Sequence, residues 1–245
     1  MNSTDPVVSI IIPTLKEAEY LERTLRNFDA FTLPHEIILT DGGSTDGTLE
    51  IARRYTDKIT IWDKPRRQTF GEAKNAGAAL AKGKFLVFID ADVIIPEPNN
   101  FFAEIISYFD ANPKVIGATV PLHVLPDQKQ WGDVFFPGWL NTWYTVTNNW
   151  FNFGNASGEF QMIRTDAFRK AGGYDEHLRA GEDTIMFNKL SKIGHTRVYT
   201  KLEALHTCRR AHKLGWIKLY SMWMWQGLTV LLFKQTAFKE WKVIR

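Results

Sequence analysis

The feature that most constrains the fold is an alternation, through the first half of the chain, between short apolar runs and segments of helical spacing. Four runs have the length and character of buried strands, at residues 7–12, 36–40, 59–62 and 84–89. Runs that are apolar throughout are typical of strands covered on both faces. Strands that alternate with helices connect through right-handed crossovers. The alternation therefore predicts an α/β fold with a doubly wound, mostly parallel sheet and helices on both faces.

The second half of the chain is less regular but predicts further elements. We expect helices at residues 99–110 and 182–193 and strands at residues 115–121 and 160–164. Thr165 is placed to cap a short helix that ends at Gly172 and Gly173. Since no repeat or linker interrupts the chain, we expect one domain over residues 1–208, followed by a helical tail at residues 209–245.

Charge and cysteine content limit the partners and the compartment. The net charge is only +3, which does not suggest nucleic acid, but eight of the nine charged residues after Leu205 are basic and only Glu240 is acidic. Such asymmetry often marks an anionic partner or a membrane surface. Cys208 is the only cysteine, which excludes an intrachain disulfide and fits a reducing, cytoplasmic compartment. Residues 1–6 lack the apolar core of a signal peptide.

Acidic residues follow two of the predicted strands, where an open α/β sheet binds its ligands. Asp90 and Asp92 are spaced by one residue and can share Mg²⁺ or Mn²⁺, which prefer oxygen ligands. The alternative is a turn with two solvated aspartates. Asp41 ends another strand, where its carboxylate can accept hydrogen bonds from a base or a ribose. Asp46, in the same glycine-rich loop, can cap the next helix.

Several segments together resemble one known family. They are residues 8–14 with Glu17, and residues 41–48, 71–77, 85–92 and 181–183. In order and spacing they are similar to glycosyltransferase family 2, whose members have the GT-A fold with a Rossmann-like sheet. The resemblance runs from Val7 to about Cys208. It implies a nucleotide-sugar-binding part at about 7–121 and an acceptor-binding, catalytic part at about 122–208.

The resemblance implies a donor site and a metal site. Pro13, Thr14 and Glu17 would line the nucleotide pocket, Asp41 would contact the base, Asp90 would lie near the ribose and the metal, and Asp92 would bind the metal. Lys74 and Asn75 would lie near the donor, although Lys74 can equally be a solvated helix lysine. His206 would complete the metal site, unless it is a structural histidine, and Arg209 or Arg210 would hold the diphosphate.

Asp183, with Glu182 beside it, matches the catalytic base of the family. An acceptor hydroxyl must lose its proton as it attacks the anomeric carbon, and direct displacement inverts that carbon. The alternative is that both acids only complement the dipole of the helix that they open. A phosphate acceptor is already ionised, so in that case Asp183 would orient the acceptor.

The chain departs from the family pattern in three places. Lys16 stands where asparagine is common, and Gly42 replaces a frequent second acid after Asp41. The Gln-x-x-Arg-Trp signature of processive polysaccharide synthases is absent, and residues 206–210 occupy that region. The absence favours transfer of a single sugar over chain elongation.

Aromatic residues dominate two segments of the second half. Residues 131–153 are rich in tryptophan, phenylalanine and asparagine, and Trp143, Trp150 and Asn155 are candidates for the acceptor site, although such aromatics can also form a core. Residues 216–233 are apolar but interrupted by polar side chains. We therefore expect a helix that lies in a membrane interface rather than one that spans it. The alternatives are a packed terminal helix and a dimer contact.

The sequence therefore predicts a metal-dependent inverting glycosyltransferase that uses Mg²⁺ or Mn²⁺ and a UDP- or GDP-sugar. The acceptor would be a hydroxyl of a glycan or a lipid-linked sugar, and the protein would be cytoplasmic or peripheral on the cytoplasmic membrane face. The alternatives are a polyprenyl-phosphate sugar synthase and a catalytically silent binding module of the same fold. A nucleotidyltransferase would carry a loop rich in glycine and arginine where this chain has residues 14–17.

Overall fold

The computed structural model describes residues 5–233, apart from the side chains of residues 227, 228 and 230–233. Its strands are β1 (Val8–Thr14), β2 (His35–Asp41), β3 (Ile59–Ile61), β4 (Phe85–Ile89), β5 (Val93–Ile94), β6 (Val115–Thr119), β7 (Leu122–Val124), β8 (Phe160–Arg164), β9 (His195–Val198) and β10 (Ala204–His206). Seven strands form one sheet in the order β3-β2-β1-β4-β8-β6-β9, and a small second sheet has the order β5-β10-β7. In the large sheet β8 is antiparallel to both neighbours, and the other pairs are parallel.

Helices cover both faces of the large sheet. They are α1 (Ala18–Arg26), α2 (Thr48–Ala52), α3 (Phe70–Leu80), α4 (Pro98–Ala111), α5 (Phe135–Thr145), α6 (Thr165–Lys170), α7 (Glu182–Ser191), α8 (Arg209–Leu214) and α9 (Trp216–Phe233). A 3₁₀ turn at Pro126–Gln128 and a π turn at Val146–Trp150 complete the chain between β7 and β8. The mixed α/β fold with a mostly parallel sheet is confirmed.

Most of the predicted elements lie within a few residues of their expected positions. The helical tail is present as α8 and α9 up to residue 233, whereas residues 234–245 of that prediction lie outside the described residues. The capping role of Thr165 is wrong, because Thr165 is the first residue of α6 and its hydroxyl donates to the carbonyl of Gly83 at 2.6 Å. The second sheet and α5 were not predicted.

Side chains of the central strands alternate between two apolar cores. Ile10 and Ile12 of β1 pack with the phenylalanines of α4 on one face, and Ile11 packs with residues of α6 and α7 on the other. Successive side chains of a strand point to opposite faces, so an unbroken apolar run fills both cores. Burial on both faces fixes the position of each central strand in the sheet. It therefore also fixes the edge of the sheet at which the carboxyl ends of these strands meet.

Polar groups collect at the carboxyl ends of β1, β2 and β4. Thr14 at the end of β1 pairs with Asp41 at the end of β2, and Asp90 follows β4 directly. The C-terminal segment returns to the same edge, because His206 of β10 pairs with Val93 of β5. Residues far apart in the sequence therefore face one cleft.

Helix α3 packs unusually close to the sheet. A Cβ atom at Gly77 would lie 2.4 Å from Cγ2 of Ile11 and 3.2 Å from Cγ2 of Thr40. The helix begins with a capping box in which Thr69 and Glu72 satisfy each other's backbone amides, which stabilises a helix start. The hydrogen bonds from Arg66 lower the pKa of Glu72 to about 2. The capping box and the close approach at Gly77 together fix the distance between α3 and β1.

Gly77→Ala is therefore expected to destabilise the protein by about 1–3 kcal/mol, because the added methyl group overpacks the contact with β1. Gly138→Ala, also in a helix, is the control, since nothing lies within 4 Å of its added Cβ. It should leave stability unchanged or raise it by up to about 1 kcal/mol. Urea unfolding measures both variants. Equal midpoints for the two would contradict the close packing of α3.

Candidate active site

The loop after β2 is organised by Asp41, which is buried. Its Oδ1 accepts from the amides of Gly43 at 2.9 Å and Ser44 at 2.7 Å, and its Oδ2 accepts from the hydroxyls of Ser44 at 2.6 Å and Thr14 at 3.0 Å. These four bonds use the acceptor capacity of the carboxylate. Asp41 thus shapes the rim of the predicted nucleotide pocket, and a base contact would require it to give up one of these bonds. The capping role of Asp46 is wrong, because the N-cap residue of α2 is Gly47 and no side chain caps this helix. The carboxylate of Asp46 instead accepts from the hydroxyl of Thr48 at 2.6 Å and from the amide of Ala18 at 3.3 Å.

An arginine from the C-terminal segment joins two of the predicted donor-site acids. The guanidinium of Arg209 contacts Glu17 at 2.8 and 3.0 Å and Asp92 at 3.3 Å, and it lies 4.8 Å from the ring centre of Tyr20. The hydroxyl of Thr207 also donates to Oδ2 of Asp92. The structure therefore brings Glu17, Asp92 and Arg209 together.

Three further candidates flank this group. His206 lies on β10 opposite Val93, the residue after Asp92, and its Nε2 is 3.3 Å from the sulfur of Cys208. Arg210 follows Arg209 in α8 and is half-buried. Pro13 pairs with Thr40 one position before Thr14. All of them lie at the edge where the resemblance places the donor and the metal.

Lys74 is buried in a cluster of ion pairs. Its side chain is 1% exposed, and its Nζ lies 2.5 Å from Oδ1 of Asp183 and 3.5 Å from Oε1 of Glu182. Burial alone would lower the pKa of Lys74, but the nearby acids, Asp183 foremost, hold it well above its usual value. The alternative of a solvated helix lysine is wrong. Lys74 binds the predicted base instead of lying open to a donor.

Asp183 has a second partner that sequence reasoning missed. Gln161, fully buried on β8, donates from Nε2 to Oδ1 of Asp183 at 2.7 Å and to the carbonyl of Ser157 at 2.8 Å. Its Oε1 accepts from the hydroxyl of Tyr174. A glutamine between the apolar residues Phe160 and Met162 was the available signal, because a buried amide needs partners.

Two carboxyl groups of the cleft have raised pKa values. Burial, followed by the charge of Asp183, raises the pKa of Glu182 to about 7. Burial and the charge of Glu159 raise the pKa of Asp90 well above its usual range, against the opposing effect of Lys74. Glu159, half-buried just before β8, was also missed by sequence reasoning. The cleft therefore carries more negative than positive charge.

Asn75 has a structural role in this arrangement. Its Nδ2 donates to the carbonyl of Tyr174 at 3.0 Å and to Glu176 at 2.9 Å, and its Oδ1 accepts from the amide of Tyr174 at 2.9 Å. These bonds tie α3 to the loop that carries Tyr174. Both polar atoms of the Asn75 side chain are therefore engaged, and Asn75 would have to break one of these bonds to make its predicted contact with the donor.

The predicted acceptor residues do not converge. Trp143 and Trp150 are 47% and 77% exposed. Asn155 is buried, where its Oδ1 accepts from Thr184 at 2.9 Å. Tyr144 of α5 lies close enough to the acids of the cleft that burial, followed by the charges of Glu159 and Asp183, raises its pKa.

A metal site is not preformed by protein side chains alone. Within residues 5–233, no three histidine, cysteine, aspartate or glutamate side chains already converge as metal ligands. Asp90 and Asp92 provide carboxylate oxygens at one edge of the cleft. A divalent cation bound there would need further ligands from a substrate or from water, which is the usual coordination of Mg²⁺.

Comparison with known proteins identifies the family. The sequence pattern of Glycosyl transferase family 2 matches residues 9–172. The succinoglycan biosynthesis protein ExoA of Rhizobium meliloti is 28% identical over 203 residues, which cover 76% of this chain and 58% of that protein. Glycosyltransferase AglE of Haloferax volcanii is 38% identical over 98 residues, or 38% of this chain and 32% of that protein. The matches thus span about a third to three-fifths of these relatives.

Solved structures show the same fold. The mannosyltransferase PcManGT from Pyrobaculum calidifontis, in complex with GDP-Man and Mn²⁺, has a TM-score of 0.69 at 20% identity and covers 93% of this chain and 63% of that one. TarS residues 1–349 from S. aureus, in complex with UDP, has a TM-score of 0.64 at 17% identity and covers 95% of this chain and 67% of that one. The GT-A fold expected from the resemblance is confirmed.

The raised pKa of Glu182 makes stability depend on pH. The folded state holds this proton to about pH 7, but the unfolded state releases it near the ordinary glutamate pKa of about 4.3. The unfolding free energy should therefore fall as pH rises from about 5 to 7, and level off above. Glu182→Gln lacks the titrating carboxyl group and therefore does not lose this stability. The unfolding free energy of the variant minus that of the wild type should rise by up to about 3 kcal/mol between pH 5 and pH 8.

Urea unfolding at a series of pH values measures this difference. Glu50→Gln, at an exposed position in α2, is the control and should keep the wild-type pH dependence. A Glu182→Gln curve parallel to the wild-type curve across this range would contradict the assignment.

Proposed function

The chain belongs to Glycosyl transferase family 2, and from that premise we propose that it transfers one sugar, with inversion, from a nucleoside-diphosphate sugar to an acceptor hydroxyl. The observation that carries the proposal is the position of Asp183. Its carboxylate lies in the same cleft as Asp90, and the buried Lys74 links the two charges. A proton acceptor and an acidic strand end are what a metal-assisted displacement at a sugar carbon requires.

Mg²⁺ or Mn²⁺ fits the acidic edge of the cleft. Asp92 would bind the cation, Asp90 would lie against it, and His206 is next to them on β10. Burial, followed by repulsion from Glu159, raises the pKa of Asp90, and a divalent cation relieves such repulsion. When bound, the metal would stabilise the negative charge of the departing diphosphate. The Mn²⁺ in PcManGT supports this proposal.

The donor would be a UDP- or GDP-sugar, as the ligands of TarS and PcManGT suggest. Pro13, Thr14 and Glu17 would form the wall of the nucleotide pocket at the end of β1. Arg209 stands between Glu17 and Asp92. A guanidinium at this place suits bidentate binding of a diphosphate, so Arg209 would exchange one of its carboxylate partners for the donor.

The acidity of the cleft favours a hydroxyl acceptor over the polyprenyl-phosphate alternative. Glu182 lies beside Asp183, the charge of Glu159 acts on Asp90, and Lys74 is already engaged by two carboxylates. A phosphate acceptor would meet these charges with a charge of its own, and like charges in a buried site repel strongly. A glycan or lipid-linked hydroxyl meets no such repulsion. The intact acids also argue against a catalytically silent module.

The proposal predicts metal-dependent nucleotide binding. UDP, GDP, CDP and dTDP are titrated by calorimetry with and without Mn²⁺ into wild type, Asp92→Ala and the exposed control Asp29→Ala. One nucleotide should bind wild type and Asp29→Ala only with Mn²⁺, and Asp92→Ala should bind it at least about tenfold more weakly, in line with the loss of a charged ligand. Failure of all four nucleotides to bind would contradict the proposal.

We also propose that helices α5 and α9 form a membrane-facing surface. The outward side chains include Trp131, Phe135 and Trp143 at α5 and Ile217 and Trp225 on α9, all exposed. The two helices adjoin, since Phe136 stacks on Trp216 at 5.4 Å and Trp139 contacts Tyr220 at 5.5 Å. Peripheral contact of the C-terminal tail with a membrane would thus include α5.

The charge pattern of this surface suits anionic lipid. Residues 134–158 contain no charged side chain, and residues 204–233 contain lysines and arginines but no acid. Tryptophan with flanking basic residues is typical of helices that lie in a membrane interface. Among residues 5–233, no helix is both long and apolar enough to cross a bilayer. A lipid-linked acceptor could enter the cleft from this side, past Tyr144.

Vesicle sedimentation measures the proposed contact. Wild type should bind phosphatidylcholine vesicles that contain phosphatidylglycerol, and more weakly those that do not. A Trp131→Ser, Phe135→Ser, Ile217→Ser triple variant should bind at least about tenfold more weakly, because it loses apolar area that enters the interface. The control is Leu80→Ser with Ile193→Ser, at exposed apolar positions elsewhere. Equal binding of both variants would contradict the assignment.

A further inference from the structure

The two oxygens of the Asp183 carboxylate have different surroundings. Oδ1 accepts from Nζ of Lys74 at 2.5 Å and from Nε2 of Gln161 at 2.7 Å. Both of these hydrogen bonds end on Oδ1. Oδ2 faces Gly158, where an added Cβ would lie only 2.8 Å from it. Oδ1 is therefore held by hydrogen bonds, whereas Oδ2 lies next to Gly158, which has no side chain.

The orientation of Gln161 is set by its remaining contacts. Its Nε2 has two hydrogens, of which one goes to the carbonyl of Ser157 and one to Asp183. Its Oε1 receives the hydroxyl of Tyr174. A reversed amide would place Oε1 against the Asp183 carboxylate and lose both donated bonds. Because Gln161 is fully buried, water does not replace such losses.

We propose that Gln161 is a positioning residue that, together with Lys74, holds Oδ1 of Asp183 so that Oδ2 takes the proton of the acceptor. The proposal rests on the proposed function. The acceptor O–H bond breaks and its proton moves to Oδ2, while the acceptor oxygen forms a bond to the anomeric carbon. The bond from that carbon to the donor phosphate breaks, and its electron pair leaves with the nucleoside diphosphate.

Gly158 has a defined part in this arrangement. A methyl group there would come within 2.8 Å of Oδ2 and within 3.5 Å of Nζ of Lys74. The acceptor hydroxyl must approach Oδ2 within hydrogen-bond distance, so the bare backbone at Gly158 leaves room for it. The structure assigns Gly158 to the path between acceptor and base.

The test uses hydrolysis of the radiolabelled UDP- or GDP-sugar whose nucleotide binds wild type, with water in the place of the acceptor. Gln161→Leu should lower kcat by about 10- to 100-fold, the range expected when a base loses a positioning bond. Its KM for the donor and its calorimetric affinity for the nucleotide should stay within about twofold, because Gln161 lies away from the donor pocket. Tyr174→Phe, a milder change that keeps the amide, should lower kcat by about 3- to 10-fold.

The acid limb of the kcat profile should move to higher pH in Gln161→Leu, because a bond to the charged form of the base is lost. Met162→Leu, at the neighbouring buried position of β8 that faces the other core, is the control and should keep the wild-type rate and profile. Wild-type kcat and profile in both Gln161→Leu and Tyr174→Phe would overturn the proposal. A wild type that binds no nucleotide would instead overturn the proposed function itself.

Discussion

The arrangement of the cleft depends on the ion pairs of Lys74. This lysine lies on α3, in the half of the chain that is proposed to bind the nucleotide, and its partners Asp183 and Glu182 open α7 in the other half. A buried ammonium is tolerated only with charged partners, and removal of one partner from such a pair typically costs about 3–5 kcal/mol. These ion pairs therefore fix α7 against α3, and with it the position of Asp183 relative to the ends of the strands.

Charge crowding explains why the C-terminal segment returns to the cleft. Glu17, Asp90, Asp92 and the acids around Asp183 leave an excess of negative charge that Lys74 alone does not balance. Arg209 supplies a second cation between Glu17 and Asp92. In the proposed function, a divalent cation with a diphosphate would enter the same acidic edge, and Arg209 would meet the charge of the donor there.

Much of the fold could be predicted because its central strands are buried on both faces. Strand β4 is apolar throughout, and β1 and β2 are apolar over residues 10–12 and 37–39, which leaves little ambiguity. Strands β5, β7 and β10 have only two or three residues, too few for a period to show. Helix α5 escaped prediction because its aromatic side chains lie on both the packed and the exposed side, so no polar face marks the helical period.

Site residues that belong to sequence motifs could be predicted. Residues that bind and hold another site residue could not. Asp92, His206 and Arg209 came from the resemblance and meet at one edge. Gln161 was missed because a single polar residue in an apolar strand gives no sign of its partner. Lys74 was ambiguous because burial of a helix lysine depends on α7, which lies about a hundred positions later in the chain.

The most direct test of the account is the transfer activity of Asp183→Asn, with Asp166→Asn at an exposed position in α6 as the control. The labelled nucleotide sugar whose nucleotide binds wild type is supplied, and both donor affinity and release of nucleoside diphosphate are measured. The account predicts donor affinity within about twofold of wild type and a rate at least about 100-fold lower, as expected for loss of a general base. A rate close to that of wild type and of the control would contradict the assignment of Asp183 as the base.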